Sequence, residues 1–177
     1  MIDILQRDNP ILRAVAPPVV PQDIGSEKLA KIIGDMKDAM AMQKDGVALA
    51  APQIGVSLRI FVVSGSLLAR ADKTFKGDGS DLVFINPQLT KFSRQKKDLE
   101  EGCLSVRWLY GKVKRSSKVT LNALNEKGEP VVRGASGLLA QIFQHEVDHL
   151  NGILFIDRAK EVWEMSKEEI AELQAEE

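Results

Sequence analysis

Residues 144–149 read Gln144-His145-Glu146-Val147-Asp148-His149 and contain the pattern His-Glu-x-x-His. The only two histidines of the chain lie here, four residues apart. In a helix this spacing places both imidazoles on one face, about one turn apart, where they can bind one metal ion. Glu146 then lies roughly a hundred degrees round the helix, within reach of a water on that ion. The stretch is typical of metal-assisted hydrolysis, in which a carboxylate takes a proton from water.

The flanking residues predict a buried helix over residues 136–152, with Ser136 as the N-cap and Gly152 just beyond the C-terminus. Leu138 and Ile142 share a stripe with the two histidines, and the rest of the surface is largely apolar. Two histidines and two acids are costly in a buried helix unless they have partners, and a metal ion supplies one. The alternative is a helix that carries the short pattern by chance.

Length and composition predict a single domain over residues 1–177, with 44% hydrophobic and 28% charged residues. The net charge of −1 gives no sign of a general nucleic-acid or membrane surface. The chain shows neither a signal peptide nor an apolar stretch long enough to cross a bilayer, so we expect a cytoplasmic protein. A single cysteine, Cys103, excludes an internal disulfide.

Hydrophobic periodicity predicts an α+β fold. Ser26 is expected to cap a helix that runs to about Lys44 with one apolar stripe. Residues 59–63 and 82–85 are expected to form buried strands, the second stopped by Asn86-Pro87, with residues 64–81 an exposed loop between them.

Further along, alternating apolar residues within 113–124, a turn at 125–128 and a return at 130–132 predict a hairpin. A capping box at Ser166 to Glu169 predicts a short acidic helix from about residue 166. This order of elements predicts antiparallel or mixed sheets around the central metal-binding helix.

A catalytic metal needs a third protein ligand and an open position. A nearby acid or a thiolate can supply it, and the one thiol lies in Glu101-Gly102-Cys103-Leu104-Ser105. From spacing alone Cys103 is either that ligand or a small buried apolar residue.

Three stretches together resemble the signature motifs of peptide deformylase. They are residues 46–53 (Gly-Val-Ala-Leu-Ala-Ala-Pro-Gln), 101–105 and 144–149, in the family's order, and the resemblance covers nearly the whole chain. It implies a peptide deformylase-like fold and a metal-dependent hydrolase that removes the formyl group from the N-terminal formyl-methionine of nascent polypeptides, releasing formate. A small His-Glu-x-x-His metalloprotease and a deformylase-like nascent-chain binding protein with little activity are the alternatives.

The resemblance also assigns roles to residues. It implies three metal ligands, Cys103, His145 and His149, with Glu146 as general base and then acid. Gln53 and the backbone N–H of Leu104 would donate hydrogen bonds to the developing oxyanion. The expected native ion is Fe2+, with Zn2+ or Ni2+ in its place in the purified protein. The expected substrate-binding residues are Gly46, Val47, Ala48, Glu101, Gly102, Tyr110, Leu138 and Ile142.

The backbone at residues 46–48 is expected to pair with an extended peptide, and Val47, Leu138 and Ile142 are candidates for the methionine pocket or for plain core packing. The chain departs from the family motifs at Ala48, where a second glycine is usual, and at Arg107-Trp108, where Pro-Gly is usual. An added methyl at residue 48 is expected to narrow the groove or to prevent a positive φ.

The expected partners are N-formylmethionyl nascent peptides and the ribosome near the exit tunnel, without membrane or DNA, and the expected state is a monomer. The basic residues at 94–97 and 112–118 are interpreted as solvated faces, or alternatively as a polyanion site for ribosomal RNA. Arg115 and Asp148 are expected to pair as a support behind the metal ligands.

Overall fold

A five-stranded antiparallel sheet with a helix on each face forms the centre of the fold. The structure is a computed structural model that describes residues 2–71 and 77–175. The strands of this sheet, in chain order, are β1 (Ala48–Ala50), β2 (Ile60–Val63), β3 (Leu82–Phe92), β6 (Lys118–Leu124) and β7 (Pro130–Ser136). They lie side by side in the order β1-β2-β3-β6-β7. A smaller antiparallel sheet has the order β4-β5-β8, formed by Lys96–Gly102, Leu109–Ser116 and Val162–Glu164.

The helices are α1 (Glu27–Ala41), α2 (Gly65–Ala71), α3 (Gly137–Leu150) and α4 (Lys167–Ala175). Short 3-10 turns occupy Pro10–Arg13, Pro21–Asp23, Ala51–Ile54 and Phe155–Asp157. Because side chains alternate along a strand, Phe61 and Val63 of β2 pack towards α3, whereas Ile60 and Val62 pack towards α1. The predicted α+β class is confirmed, and no helix of the described residues is long and apolar enough to cross a membrane.

Both long helices lie where their sequence patterns predict them. The Ser26 side chain accepts a hydrogen bond from the Leu29 N–H at 3.2 Å, and the buried face of α1 is the predicted stripe. α3 begins after Ser136, although that side chain makes no capping hydrogen bond. Gly152, at φ 73°, follows the C-cap residue, and a Cβ there would lie 2.5 Å from the Arg13 carbonyl oxygen, so the position requires glycine.

Two expectations about residues 64–92 are wrong. Residues 65–71 of the expected loop form α2, whose Leu68 is fully buried against the α3 side of the core; residues 72–76 lie outside the described residues. The strand that begins at Leu82 does not stop at Asn86-Pro87 but continues to Phe92 through a register shift. Asn86 adopts φ 51°, and its side chain holds the Val19 backbone N–H and carbonyl, each at 2.8 Å.

The predicted hairpin and the predicted last helix are both present. Gly128, at φ 79°, donates its N–H to the Asn125 carbonyl at 3.0 Å and closes the turn between β6 and β7. Ser166 and Glu169 form the predicted capping box, with distances of 2.8 and 3.2 Å. Strands β4 and β8 have no counterpart in the predicted elements. β4 ends with Glu101 and Gly102, and Cys103 follows directly.

Candidate active site

The one thiol and the two imidazoles of the chain converge. The Sγ atom of Cys103, just after β4, lies 3.2 Å from Nε2 of His149, and one ligand atom each of Cys103, His145 and His149 lies within 4.8 Å of the others. The two histidines stand one turn apart on α3, with ring centroids 5.0 Å apart. A single cation with ligand distances of about 2.0–2.3 Å fits such a separation.

The donor set and one unsatisfied carboxylate oxygen fit a bound ion. Among the described residues, buried Oε2 of Glu146 and Nδ1 of His149 have no hydrogen-bond partner. Buried polar atoms of this kind normally have a partner, and a cation with its water would supply one to Glu146. Burial lowers the pKa of His149 well below its usual 6.5, which favours the neutral imidazole that ligation requires. Burial acts in the same direction on His145, but hydrogen bonds with Cys103 and Glu101 raise its pKa well above 6.5, so a metal would have to displace a proton there. A thiolate with two imidazoles suits iron, zinc and nickel ions.

A chain of buried charges orients His145 from behind. The Glu101 carboxylate accepts a hydrogen bond from Nδ1–H of His145 at 2.9 Å, which leaves Nε2 for a metal. Arg115 holds the same carboxylate through two bonds of 2.7 and 2.9 Å. Burial by itself would raise the pKa of Glu101, but the hydrogen bonds from Arg115 and His145 lower it to about 2.

The pairing of Arg115 with Asp148 is confirmed, at 2.6 Å, and Asp148 also accepts from the Arg158 guanidinium at 2.9 Å. The charges therefore alternate from the half-exposed Arg158 at the surface through Asp148, Arg115 and Glu101 to His145.

Arg115→Ala is expected to lower the free energy of unfolding by about 3–5 kcal/mol, because two buried carboxylates lose their shared cation. Urea denaturation of the metal-loaded protein measures the loss. Lys112→Ala, on the same strand but in an exposed ion pair with Glu161, is the matched control and is expected to change little. Unchanged stability and unchanged metal content in Arg115→Ala would contradict a supporting role.

Glu146 faces the cavity from α3 with one oxygen unpaired. Burial raises the pKa of its carboxyl to about 7. A carboxyl with such a pKa can both take and give a proton near neutral pH, which suits a general base that later acts as an acid.

Gln53 and Leu104 each present a donor beside the sulfur. Gln53 accepts from the Ala50 N–H at 2.8 Å, and its amide nitrogen lies 3.1 Å from the Ser105 hydroxyl and 3.6 Å from Cys103 Sγ. Among the described residues the Leu104 N–H has no hydrogen-bond partner. Sequence reasoning missed Ser105, which is fully buried and anchors Gln53; its signal is a hydroxyl two residues from the thiol.

These groups open into a cavity of about 340 Å³. Seven of the eight residues expected to bind substrate line it: Val47, Ala48, Glu101, Gly102, Tyr110, Leu138 and Ile142. Gly46 does not line it; a Cβ there would lie 2.6 Å from the Met40 carbonyl oxygen, so this glycine serves the tight turn before β1. Ile142 also belongs to the core, with Val47 and Leu138 packed against it.

Ala48 brings the strand β1, at one edge of the five-stranded sheet and packed against α3, into the lining of the cavity. The outer side of β1 has no strand neighbour among the described residues, so its main chain is open to an added strand, apart from the Ala50 N–H, which donates to Gln53. Among the described residues only Asn86 has a positive φ without being glycine, so the methyl of Ala48 causes no backbone strain.

Comparison with known proteins supplies the family. Residues 1–164 match the family model described as polypeptide deformylase. The chain belongs to this family. Curated peptide deformylases from Carboxydothermus hydrogenoformans and Halothermothrix orenii are 42% and 43% identical to it, over 90% and 93% of this chain and 93% and 97% of theirs. A crystal structure of class I type b peptide deformylase from Acinetobacter baumannii with Met-Ala-Ser bound is 35% identical, with a TM-score of 0.78 over 89% of this chain and 99% of that one.

The predicted function is thereby confirmed: the chain is a metal-dependent deformylase, a hydrolase that removes the formyl group from N-terminal formyl-methionine.

The rim of its cavity has features that the sequence did not reveal. The Arg107 guanidinium, 4.9 Å above the Trp108 ring, bonds Asp45 at 2.6 and 3.1 Å and Gln43 at 2.9 Å. The ion pair joins the loop before β1 to the loop after β4, and both of its residues line the deformylase cavity.

Proposed function

We propose that this deformylase works as one catalytic domain over residues 1–177, with Cys103, His145 and His149 holding one divalent ion. The convergence of the only thiol with the only two imidazoles, beside the unpaired Glu146 oxygen, carries the proposal. When bound, the ion supplies Lewis acidity, which makes a water more acidic and polarises a carbonyl oxygen.

The side chains divide the remaining work. The Glu146 carboxylate takes the proton from the attacking water and returns it to the amide nitrogen, which leaves as an amine while formate is released. The Gln53 side-chain amide and the Leu104 N–H donate to the formyl oxygen as it gains negative charge. One well-placed donor of this type contributes about 3–4 kcal/mol to the lowering of the barrier.

The substrate peptide is proposed to extend along β1, with its methionine side chain among Val47, Leu138 and Ile142. Support comes from the open edge of β1 and the apolar wall at this end of the cavity. Gly102 and Tyr110 lie together in the lining of the cavity, where a Cβ on Gly102 would lie 2.6 Å from the Tyr110 ring, so glycine leaves room for that ring. Glu101 contributes indirectly, because it orients His145. Gly46 also contributes indirectly, because it permits the tight turn before β1.

The native ion is proposed to be Fe2+, as the resemblance to peptide deformylase implies, with Zn2+ or Ni2+ as substitutes, since the ligand set suits all three. Anaerobic purification, metal analysis and a formate-release assay on formyl-Met-Ala-Ser test the function and the ion on one sample. The iron form is expected to lose activity in air, and the nickel form to keep it. Equal lifetimes of the two forms would argue against iron, and formate release no faster than without enzyme would argue against the assigned site.

The physiological substrate is proposed to be the formylated end of nascent chains, close to the ribosomal exit tunnel, for a monomer in the bacterial cytoplasm. The Met-Ala-Ser peptide bound by the Acinetobacter baumannii relative supports a peptide partner. The cleavage of unblocked Met-Ala-Ser at an internal bond would instead favour a protease.

Arg107→Ala is expected to raise KM for formyl-Met-Ala-Ser about tenfold with kcat nearly unchanged, because the Arg107–Asp45 ion pair shapes the mouth and lies away from the reacting atoms. Steady-state kinetics on the tripeptide and on formyl-methionine amide measure the effect, which should be smaller for the shorter substrate. Arg94→Ala, exposed and outside the cavity, is the control. A fall in kcat alone would contradict this account of the rim.

A further inference from the structure

A second concavity of about 590 Å³ lies on the α3 side of the sheet, behind the active site. Among the described residues it is lined by five cationic side chains, Arg59, Lys96, Lys114, Arg115 and Arg158, and by a single acid, Asp148. We call it the basic groove. Asp148 is already bonded to Arg115 and Arg158, so it leaves the other three cations without a counter-charge from the lining.

Three cations of the basic groove are available to a ligand. Within the described part of the chain, the Arg59 guanidinium donates to two neutral acceptors and to no acid, the Leu150 carbonyl at 3.1 Å and the Asn151 side chain at 2.9 Å. Lys96 and Lys114 are exposed and take part in none of the ion pairs found within residues 2–71 and 77–175.

One acid, Asp98, lies opposite Lys114 in the pairing of β4 with β5. The Asp98 carboxylate forms an ion pair with Lys160 at 3.2 Å, so another cation already balances its negative charge. The face therefore keeps a positive excess, although the whole chain has a net charge of −1.

An exposed aromatic ring stands at the end of the basic groove. Phe92, the last residue of β3, is 56% exposed and lines both the basic groove and a neighbouring concavity that holds Lys91 and Lys118. Positively charged side chains therefore lie on both sides of an exposed ring on which a planar group can stack. Proteins that bind single strands combine these two features, because phosphates need cations and every base has a face that can stack.

We propose that the basic groove binds a single strand of nucleic acid, with phosphates along Arg59, Lys96 and Lys114 and a base against Phe92. Each nucleotide brings both a phosphate for a cation and a base that can stack on the ring, whereas a run of carboxylate side chains uses the cations alone, and this difference favours the nucleic acid. The inference rests on neither the metal nor the reaction, since none of these residues lines the active-site cavity.

Fluorescence anisotropy of a labelled oligouridine of about 12 nucleotides with the metal-loaded enzyme tests the proposal. The wild type is expected to bind with a Kd below about 100 μM at about 50 mM salt. Lys96→Glu with Lys114→Glu should weaken binding at least about tenfold and flatten the salt dependence. Phe92→Ala should weaken it about fivefold or more, with the salt dependence unchanged. An oligothymidine of the same length tells whether DNA binds as well as RNA.

Lys28→Glu with Lys31→Glu on α1 is the matched control, because it makes the same change in net charge on the opposite face of the sheet. It should bind as the wild type does, and every variant should release formate at the wild-type rate. Absence of binding by the wild type, or an equal loss in the control, would overturn the proposal. So would competition by polyglutamate as strong as by unlabelled oligouridine, together with no effect of Phe92→Ala, which would assign the face to acidic peptides.

Discussion

Glu146→Ala is expected to lower kcat for formyl-Met-Ala-Ser by about 10²–10⁴-fold while the protein keeps its metal. The carboxylate lies beside the three converging ligand atoms, is buried, and has one oxygen without a partner among the described residues. No other described acid can replace it, since the nearby Glu101 is held by Arg115 and His145. The loss should fall on kcat because the carboxylate acts on the proton and not on peptide binding.

Metal analysis and formate release on one preparation provide the measurement. Glu146→Gln keeps the shape of the side chain and should be about as inactive, whereas Glu100→Ala, an exposed acid at the edge of the same cavity, should retain activity. If Glu146→Ala kept its turnover, the proton would have to move through another group and the assignment would be wrong.

Cys103→Ala is expected to lower the affinity for the metal by more than about 100-fold, because loss of a residue that merely supports a ligand already costs about 10–100-fold. The thiol lies 3.2 Å from Nε2 of His149, and no other described residue offers a third ligand atom to both imidazoles. Activity should fall with the metal content and should not return at ordinary metal concentrations.

Competition with a chelating dye measures this affinity. The single thiol gives a second readout in the wild type, since a bound ion should protect it from a thiol reagent and chelation should expose it. Equal metal affinity in Cys103→Ala, in a protein with an unchanged thermal unfolding curve, would remove the sulfur from the site.

The sequence was sufficient to predict those helices and strands in which buried residues recur at a regular spacing along the chain. α1 shows an apolar stripe with a capping serine, α3 shows one bounded by Ser136 and Gly152, and the β6–β7 turn has the residues that such turns require. The sequence did not predict the elements that bury few residues. α2 has only one fully buried large residue, Leu68, and β4 is charged almost throughout. The single buried acid of β4, Glu101, is stable there because Arg115 comes from the neighbouring strand, a pairing that no local pattern contains.

For the site, the sequence predicted which residue types would meet but not what supports them. The spacing of the histidines indicated two metal ligands, the resemblance to peptide deformylase implied Cys103 as the third, and the structure brings the three together. The partners of these groups lie far away in the chain, such as Ser105 for Gln53 and Asp45 for Arg107, and depend on the packing of separate loops. The interruption at Asn86 is tolerated because its side chain bonds a distant backbone segment, which a reading of consecutive residues overlooks.

The open edge of β1 bears on how many different proteins one such enzyme can serve. Pairing through main-chain amides and carbonyls depends on groups that every residue has, apart from the missing amide hydrogen of proline. A deformylase that holds its substrate in this way would treat most newly made chains alike, whatever follows the first methionine. Chains with proline near the start would be the exceptions, processed slowly for want of one hydrogen bond.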